Sequence, residues 1–383
     1  MHTGKIIYLP LNIFFRIPLF RFKKRQRRVS REVSHGLLFF FKKNNRVLKM
    51  MAAKNMMRAV IADCNVPALV SRAIPALVDD GDVLVRVHYT ALNRMDLLQV
   101  AGKYPVPPGA SDILGVELSG VVAESNSKAF AKGDKVMALC SGGTYADYTL
   151  VNENTLMKIP RGLSMKEAAA IPETWLTAFQ LLHLVGGPLC EGEKVLIHAA
   201  GSGVGCAAIQ LACGAGAVPF ATEGSDEKLK KAAELGARAG FNYKTGPWID
   251  GVKEASMDLI LDCIGKSYVE QNVSALALDG RWVNYGFMSG PGIGDEASKM
   301  FLAMLLRKRA SLITTTLRSR SKEYKANLVK RFIDHAGPKF ESGTYEPVLD
   351  EKSFSLEDVK QAHAYMASNK NIGKIVLKVF DKQ

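Results

Sequence analysis

The six cysteines, Cys64, Cys140, Cys190, Cys206, Cys213 and Cys263, include no C-x-x-C pair, and none stands beside a histidine cluster. That spacing excludes a zinc knot and points to reduced thiols in an intracellular compartment rather than a disulfide scaffold. Long apolar runs are missing as well. The patches IIYLPLNIFF and LLFFF near the start fall short of the roughly 20 residues a membrane span needs, and Pro10 and Pro18 interrupt any long helix there. No internal repeat or low-complexity segment follows residue 57. Acidic residues are almost absent from residues 1–57, which hold fourteen Lys/Arg against Glu32 alone. The other 37 bases and 36 acids nearly cancel, so the net charge of +14 belongs to an N-terminal arm and the body offers no polyanion-binding face.

The arm, with its run RFKKRQRR, has three readings. It is a mitochondrial presequence, basic and acid-poor; or a basic arm for nucleic acid or an anionic membrane; or a stretch that is not made, because Met50, Met51, Met56 and Met57 stand just ahead of the first strand. The expected location is cytoplasmic, or mitochondrial if the arm is real. No nucleic-acid partner and no membrane span are expected.

The chain of 383 residues is 48% hydrophobic and 23% charged, enough for a core without disulfides. At about 100–200 residues per domain, two domains are expected. From Arg58 to about Pro160 many short strands separated by Gly- and Pro-rich turns, with no helix between them, indicate a β-barrel-like domain. The strands are RAVIADC, DVLVRVHYTAL, VELSGVVAES, KGDKVMALCSGG and TYADYTLVN. The period then changes. SMKEAAAIPETWLTAFQLLHLV reads as a helix opened by a Ser-x-x-Glu box at Ser164 and Glu167. KVLIHAAGSGVGCAAIQLACGAG, VPFATEGS, SDEKLKKAAELGA, LILDCIG and RWVNYGF alternate strand and helix, as a parallel doubly wound sheet does. SLEDVKQAHAYMASNK is an amphipathic helix and IGKIVLKVF a closing strand.

The strongest chemistry lies in VLIHAAGSGVG. A tight strand-to-helix turn of small residues lets the backbone approach a pyrophosphate, and the helix start presents free N–H groups and a positive dipole end. Gly201, Gly203 and Gly205, with Ser202 and Val204 between them, supply this. The spacing is not a clean G-x-G-x-x-G, since Ala200 and Ser202 take its first two glycine positions.

These stretches, with ALNRMDLLQVAGKY, PPGASDILGVELSG, AAELGARAGFNYK, LALDGRWVNYG and NKNIGKIVL, resemble the quinone oxidoreductase (zeta-crystallin) branch of the zinc-independent medium-chain dehydrogenases/reductases. The resemblance runs from Met57 onward and departs from the branch at Ser202 and Cys213. It implies an α/β fold in which a Rossmann domain, a doubly wound parallel sheet, interrupts a GroES-like β-rich catalytic domain. The expected division is an extension over 1–57, the catalytic domain over 58–180, the NADP-binding domain over 181–320 and a return to the catalytic domain over 321–383. The expected assembly is a homodimer or homotetramer.

The resemblance also assigns site residues. Zinc relatives of the superfamily hold their metal at positions that match Asn93, Val116 and the region of Glu173. Valine cannot ligate, so no metal is expected. Without a metal to polarise an alcohol, an activated acceptor such as a quinone or enone is expected, needing only donors for the oxygen that gains charge. Asn93 and Tyr104 are the candidate donors, with Asp96 orienting its neighbours. Asn93 also fits a turn cap and Tyr104 packing beside Pro105. Trp175 reads as core more than as a pocket wall, and His88, His183, His198 and His363 as structural. Glu223, 20 positions after Gly203, favours NAD(H). The matching positions Ser225, Lys228 and Tyr243 hold a 2′-phosphate in the branch and favour NADP(H), with Glu223 turned to solvent. NADP(H) is the expected cofactor and NAD(H) the second. Gly265, Gly286, Gly373 and Lys374 are expected to touch the remainder of the cofactor. The expected activity is NADPH-dependent reduction of quinones or enones. The alternatives are reduction of trans-2-enoyl thioesters, and a nucleotide-binding protein that acts through the basic arm.

Overall fold

In the computed structural model, residues 55–252, 255–293 and 295–380 are described. The basic arm lies outside them, apart from its last residues. Met56 and Met57, assigned above to the extension, belong to the first strand, where Met57 packs into the core.

The β-rich half begins with a hairpin of β1 (Met56–Asp63) and β2 (Val66–Ala73). Its two turn residues, Cys64 and Asn65, both take positive φ, as a turn matched to the strand twist requires. A seven-stranded sheet follows, built on β3 (Asp82–Ala91), β4 (Glu117–Ser125), β5 (Lys135–Leu139), β6 (Tyr148–Asn152) and β7 (Leu156–Lys158). β3 is the hub. One edge pairs with β4, and the other pairs first with β6 and then with a strand from the far end of the chain. Alternating apolar residues of β3 and β4, among them Val83, Val85, Val87, Leu118 and Val122, fill one core with Leu92, Leu114 and Tyr145.

The second half is a six-stranded parallel sheet of β8 (Lys194–His198), β9 (Val218–Glu223), β10 (Ala239–Asn242), β11 (Met257–Asp262), β12 (Leu276–Asn284) and β13 (Ser311–Thr314). The spatial order β10-β9-β8-β11-β12-β13 reverses direction beside β8, and such a switch point opens a crevice for a dinucleotide. β8 and β11 are apolar runs buried on both faces, as a sheet covered on both sides demands. Sequence periodicity found β8, β9, β11 and β12. It passed over β10 and β13, four-residue edge strands with little apolar alternation.

Three expectations need correction. The β-rich stretch is not free of helix, since Arg94–Val100 forms one between β3 and β4. The helix expected from Ser164 is three pieces: Met165–Ala168, Pro172–Phe179 and a π-helical turn at Gln180–Val185. Ser164 and Glu167 form the capping box as read, but Pro172 has no N–H to continue the ladder and starts a new helix instead. The expected return to the β-rich half at residue 321 comes later. The helix Lys322–Glu341 places Leu328, Phe332, Ala336 and Phe340, four residues apart, against the core that holds Trp175, Ile209 and Leu211. The β-rich sheet is rejoined only by β14 (Phe354–Ser355) and β15 (Val376–Lys378), the latter antiparallel to β3. Among the described residues, no helix is long and apolar enough to cross a membrane.

Candidate active site

The Gly-rich turn leaves β8 and opens the helix Gly203–Gly214. Ser202 caps it, its Oγ accepting the Gly205 N–H at 3.1 Å. The N–H groups of Gly203 and Val204, at the first two helical positions, have no carbonyl one turn back and stay available to an anion. Two glycines are needed for the close approach. A Cβ on Gly205 would lie 2.5 Å from the Ala199 carbonyl oxygen, and one on Gly203 would lie 2.8 Å from Thr174 Cγ2. The residues thus fit a dinucleotide phosphate, with a small-residue cradle and free donors at one place.

Glu223, at the end of β9, does not turn to solvent as expected. It is 4% exposed, and its Oε1 accepts the Gly201 N–H at 2.7 Å. A buried carboxylate needs such donors, and the glycine-lined turn is what lies within its reach. Lys228 stands beside it, with Nζ 3.9 Å from Glu223 Oε2 and donating to the Asn369 carbonyl at 2.9 Å. Ser225 caps the helix Asp226–Glu234, and the half-exposed Tyr243 packs over Gly224. The structure therefore gathers Glu223, Ser225, Lys228 and Tyr243 at one end of the Gly turn. Gly265 and Gly286 follow β11 and β12, and the Gly265 N–H is already given to Asp262 Oδ1 at 3.1 Å.

At the other end of the turn, the Gly373 N–H donates to the Gly201 carbonyl at 2.8 Å. The next residue, Lys374, was expected at the cofactor. Its ammonium is instead held by Glu117 Oε1 at 2.6 Å and Asn93 Oδ1 at 2.5 Å, with the side chain 4% exposed. Glu117 is fully buried and also receives the Asn93 amide (2.8 Å) and the Glu173 backbone N–H (2.9 Å). Asn93 stands at the N-cap position of the helix Arg94–Val100, with its side chain turned to Glu117 and Lys374. Asp96 accepts the Asn93 backbone N–H at 2.8 Å and the Tyr145 hydroxyl at 3.2 Å, which makes it an orienting group for Asn93. Its second oxygen is buried without a partner.

Charge is dense here. Burial pushes the Asp96 carboxyl up to about 6, against the pull of the Asn93 N–H and Lys374. Burial, aided by repulsion from Glu117, pushes Glu173 up to about 7. Tyr104, half-buried, has its phenol raised by burial and faces Arg318, whose guanidinium carbon is 5.6 Å from the ring centre. Val116 is buried apolar packing. Trp175 is core against Phe340 and Tyr345. His198 is structural, donating from Nε2 to Asn272 Oδ1 at 2.7 Å and paired with Thr222 Oγ1 at 2.8 Å. Among the described residues no group of three His, Cys, Asp or Glu is placed to hold a metal ion.

Sequence reasoning missed Glu117, Arg318 and Lys325. The signal for Glu117 was a lone charge between Val116 and Leu118 in an apolar strand, where a buried charge implies a partner. Arg318 and Lys325 gave no local signal.

A β-rich GroES-like half joined to a parallel Rossmann sheet, with donors gathered beside a glycine turn, defines the medium-chain dehydrogenase/reductase class. Two family models match, the alcohol dehydrogenase GroES-like domain over residues 79–161 and the zinc-binding dehydrogenase over residues 203–334. Human quinone oxidoreductase is 31% identical over 311 residues, covering 78% of this chain and 89% of the relative. The Escherichia coli quinone oxidoreductase complexed with NADPH superimposes with a TM-score of 0.73 at 25% identity, covering 84% of this chain and 99% of that one. A structure described as an NAD-dependent alcohol dehydrogenase superimposes with a TM-score of 0.71 at 29% identity, covering 84% and 100%. The chain belongs to the quinone oxidoreductase family of that superfamily and is an oxidoreductase.

Proposed function

We propose that the chain is a zinc-independent reductase of quinones and related enones that takes its reducing equivalents from NADPH. One observation carries the reading: a single dipeptide links the phosphate cradle to the acceptor donors. Gly373 holds Gly201 in the turn, and Lys374 holds Asn93. A cofactor seated on the turn therefore has Asn93 at a fixed place beside it. When bound, the nicotinamide supplies hydride to the acceptor.

The side chains supply the electrostatics. Lys374 polarises the Asn93 carbonyl, and one amide N–H goes to Glu117. The other amide N–H is left for an acceptor oxygen, and the upstream bond strengthens it as a donor. One such donor in a water-poor cleft changes the rate by about 10²–10³. Tyr104, its phenol held protonated, is the candidate proton donor. For the cofactor, Ser225, Lys228 and Tyr243 support NADP(H), as does the NADPH complex of the bacterial relative. The buried Glu223 favours NAD(H) as the second reading.

Initial-rate assays with NADPH test this, comparing 9,10-phenanthrenequinone with crotonyl-CoA after EDTA dialysis. Quinone-dependent NADPH oxidation without metal is expected. Asn93→Ala should lower kcat/KM by about 10²-fold with little change in NADPH dissociation. Tyr104→Phe should slow enones more than quinones, because enones need a proton delivered. Activity only with zinc, or only with the thioester, would overturn the proposal.

A further inference from the structure

Arg318 follows β13 and is 3% exposed. Its Nε donates to the Ser141 carbonyl at 2.9 Å and its Nη1 to Gln99 Oε1 at 2.7 Å. Both acceptors are neutral. Its Nη2 is buried with no partner. Lys325 is buried at its side, donating to Ser141 Oγ at 3.0 Å and to the Arg318 carbonyl at 2.6 Å. Neither cation forms an ion pair with a carboxylate among the described residues, whereas Lys374, a third buried cation of the site, has Glu117.

A buried cation without a hydrogen-bonded counter-charge is strongly unfavourable. Asp96 and Glu173 act on Arg318 only through space, and its guanidinium hydrogen bonds go to Ser141 and Gln99 instead. Among the described residues neither Arg318 nor Lys325 thus has a carboxylate in contact, and an unused guanidinium donor lies beside Tyr104.

We propose that Arg318 is the anion-recognition residue of the acceptor site, so that its preferred acceptors carry a carboxylate or an ionised hydroxyl on the quinone or enone skeleton. A guanidinium donor with a free N–H group suits such an oxygen better than a lysine does, because its planar fork fixes direction as well as charge. The ligand supplies the partner that the protein leaves out at Nη2, and Lys325 adds to the field without touching that open donor. The proposal rests on the reductase reading for the identity of the ligand as an acceptor, but not for the anion site itself.

Titration calorimetry of the full chain with 1-naphthoate and with 1-naphthamide tests it, since the two differ in charge and little in shape. The naphthoate should bind at least about tenfold more tightly, as a hydrogen bond to a charged group implies. Arg318→Gln should bring the two within about twofold, and Arg318→Lys should fall between, with thermal melts recording whether each variant is folded. If Arg318→Gln does not fold, the wild-type preference and its reduction in Arg318→Lys decide the matter. Equal binding of the two ligands by the wild-type chain would overturn the proposal. So would a preference that survives in folded Arg318→Gln, or one lost in Lys325→Gln alone. Quinone reduction that ignores both acceptor charge and Arg318 would remove the anion site and leave the reductase. An Arg318-dependent naphthoate preference in a chain that reduces no quinone would do the reverse.

Discussion

At the proposed cofactor end of the site, Glu223 reaches back 22 residues to the Gly201 N–H, and its nearest cation, Lys228, stands five positions further on. At the proposed acceptor end, Lys374 reaches across 281 residues to Asn93, and Arg318 across 219 to Gln99. The bond from Glu223 is made within one β-α-β unit, and only Lys228, which donates to the Asn369 carbonyl, reaches far along the chain. The second cluster is assembled from segments that meet only when both halves of the fold are complete. The buried Glu223 is therefore secured by local chain geometry. At the proposed acceptor end buried charge is secured by tertiary structure and should fail when that structure is disturbed.

The sharpest way to break this contrast is Lys374→Met. It leaves Glu117 buried without its cation and should cost about 3–5 kcal/mol of stability in urea unfolding. The double variant Lys374→Met with Glu117→Gln should regain more than half of the loss. A loss below about 1 kcal/mol would mean that the pair behaves like an exposed one.

Glu173→Gln probes the same cluster through pH. The folded carboxyl titrates near 7, above its ordinary 4.5. The folded state therefore holds the proton more tightly than the unfolded chain, and stability falls as pH rises from about 4.5 to about 7. The glutamine cannot ionise. It should be more stable than the wild type at pH 8, by on the order of 1–3 kcal/mol, and the advantage should vanish below about pH 4.5. Thermal melts across that range check it, and a pH-independent difference would reject it.

The smallest effect is expected at the cofactor end. Lys228→Ala should raise the KM for NADPH by about tenfold and that for NADH by less than twofold, because only the former carries the 2′-phosphate. Glu223→Gln keeps an acceptor for the Gly201 N–H and removes the repulsion, so it should shift preference further toward NADPH, by a few-fold. Equal changes for both cofactors would place Lys228 away from the 2′ position.

The same contrast explains what could be read in the sequence. The turn at Gly201–Gly205, the apolar strands β8 and β11 and the Ser164–Glu167 box are written in consecutive residues, so period and spacing reveal them. Asn93, Tyr104 and Lys374 were singled out through motifs, but their partners were not. Nothing near Lys374 in the sequence announces Glu117, and nothing near Arg318 announces Gln99 or Ser141. Glu223 was expected to face solvent because Ser225, Lys228 and Tyr243 favour a 2′-phosphate, whereas the Gly201 N–H within its reach fixes it. β2 escaped notice because Cys64 and Asn65 are not the residues that usually mark a two-residue hairpin turn.

The pairing of β15 with β3 sets Val376 opposite Ala91. On a ribosome adding about 5–20 residues each second, β3 would emerge roughly 15–60 s before its neighbour. Through that interval the half of β3 not covered by β6 has one edge unpaired, and Asn93 lacks the ammonium that later holds it. The parallel sheet, whose strands all lie between these two, can meanwhile settle on its own. The Asn93 cluster would thus be the last part of the body to mature during synthesis, and a nascent chain stalled ahead of Gly373 would hold the strands of the parallel sheet before it owned either the bond that fixes Gly201 or the ammonium that holds Asn93.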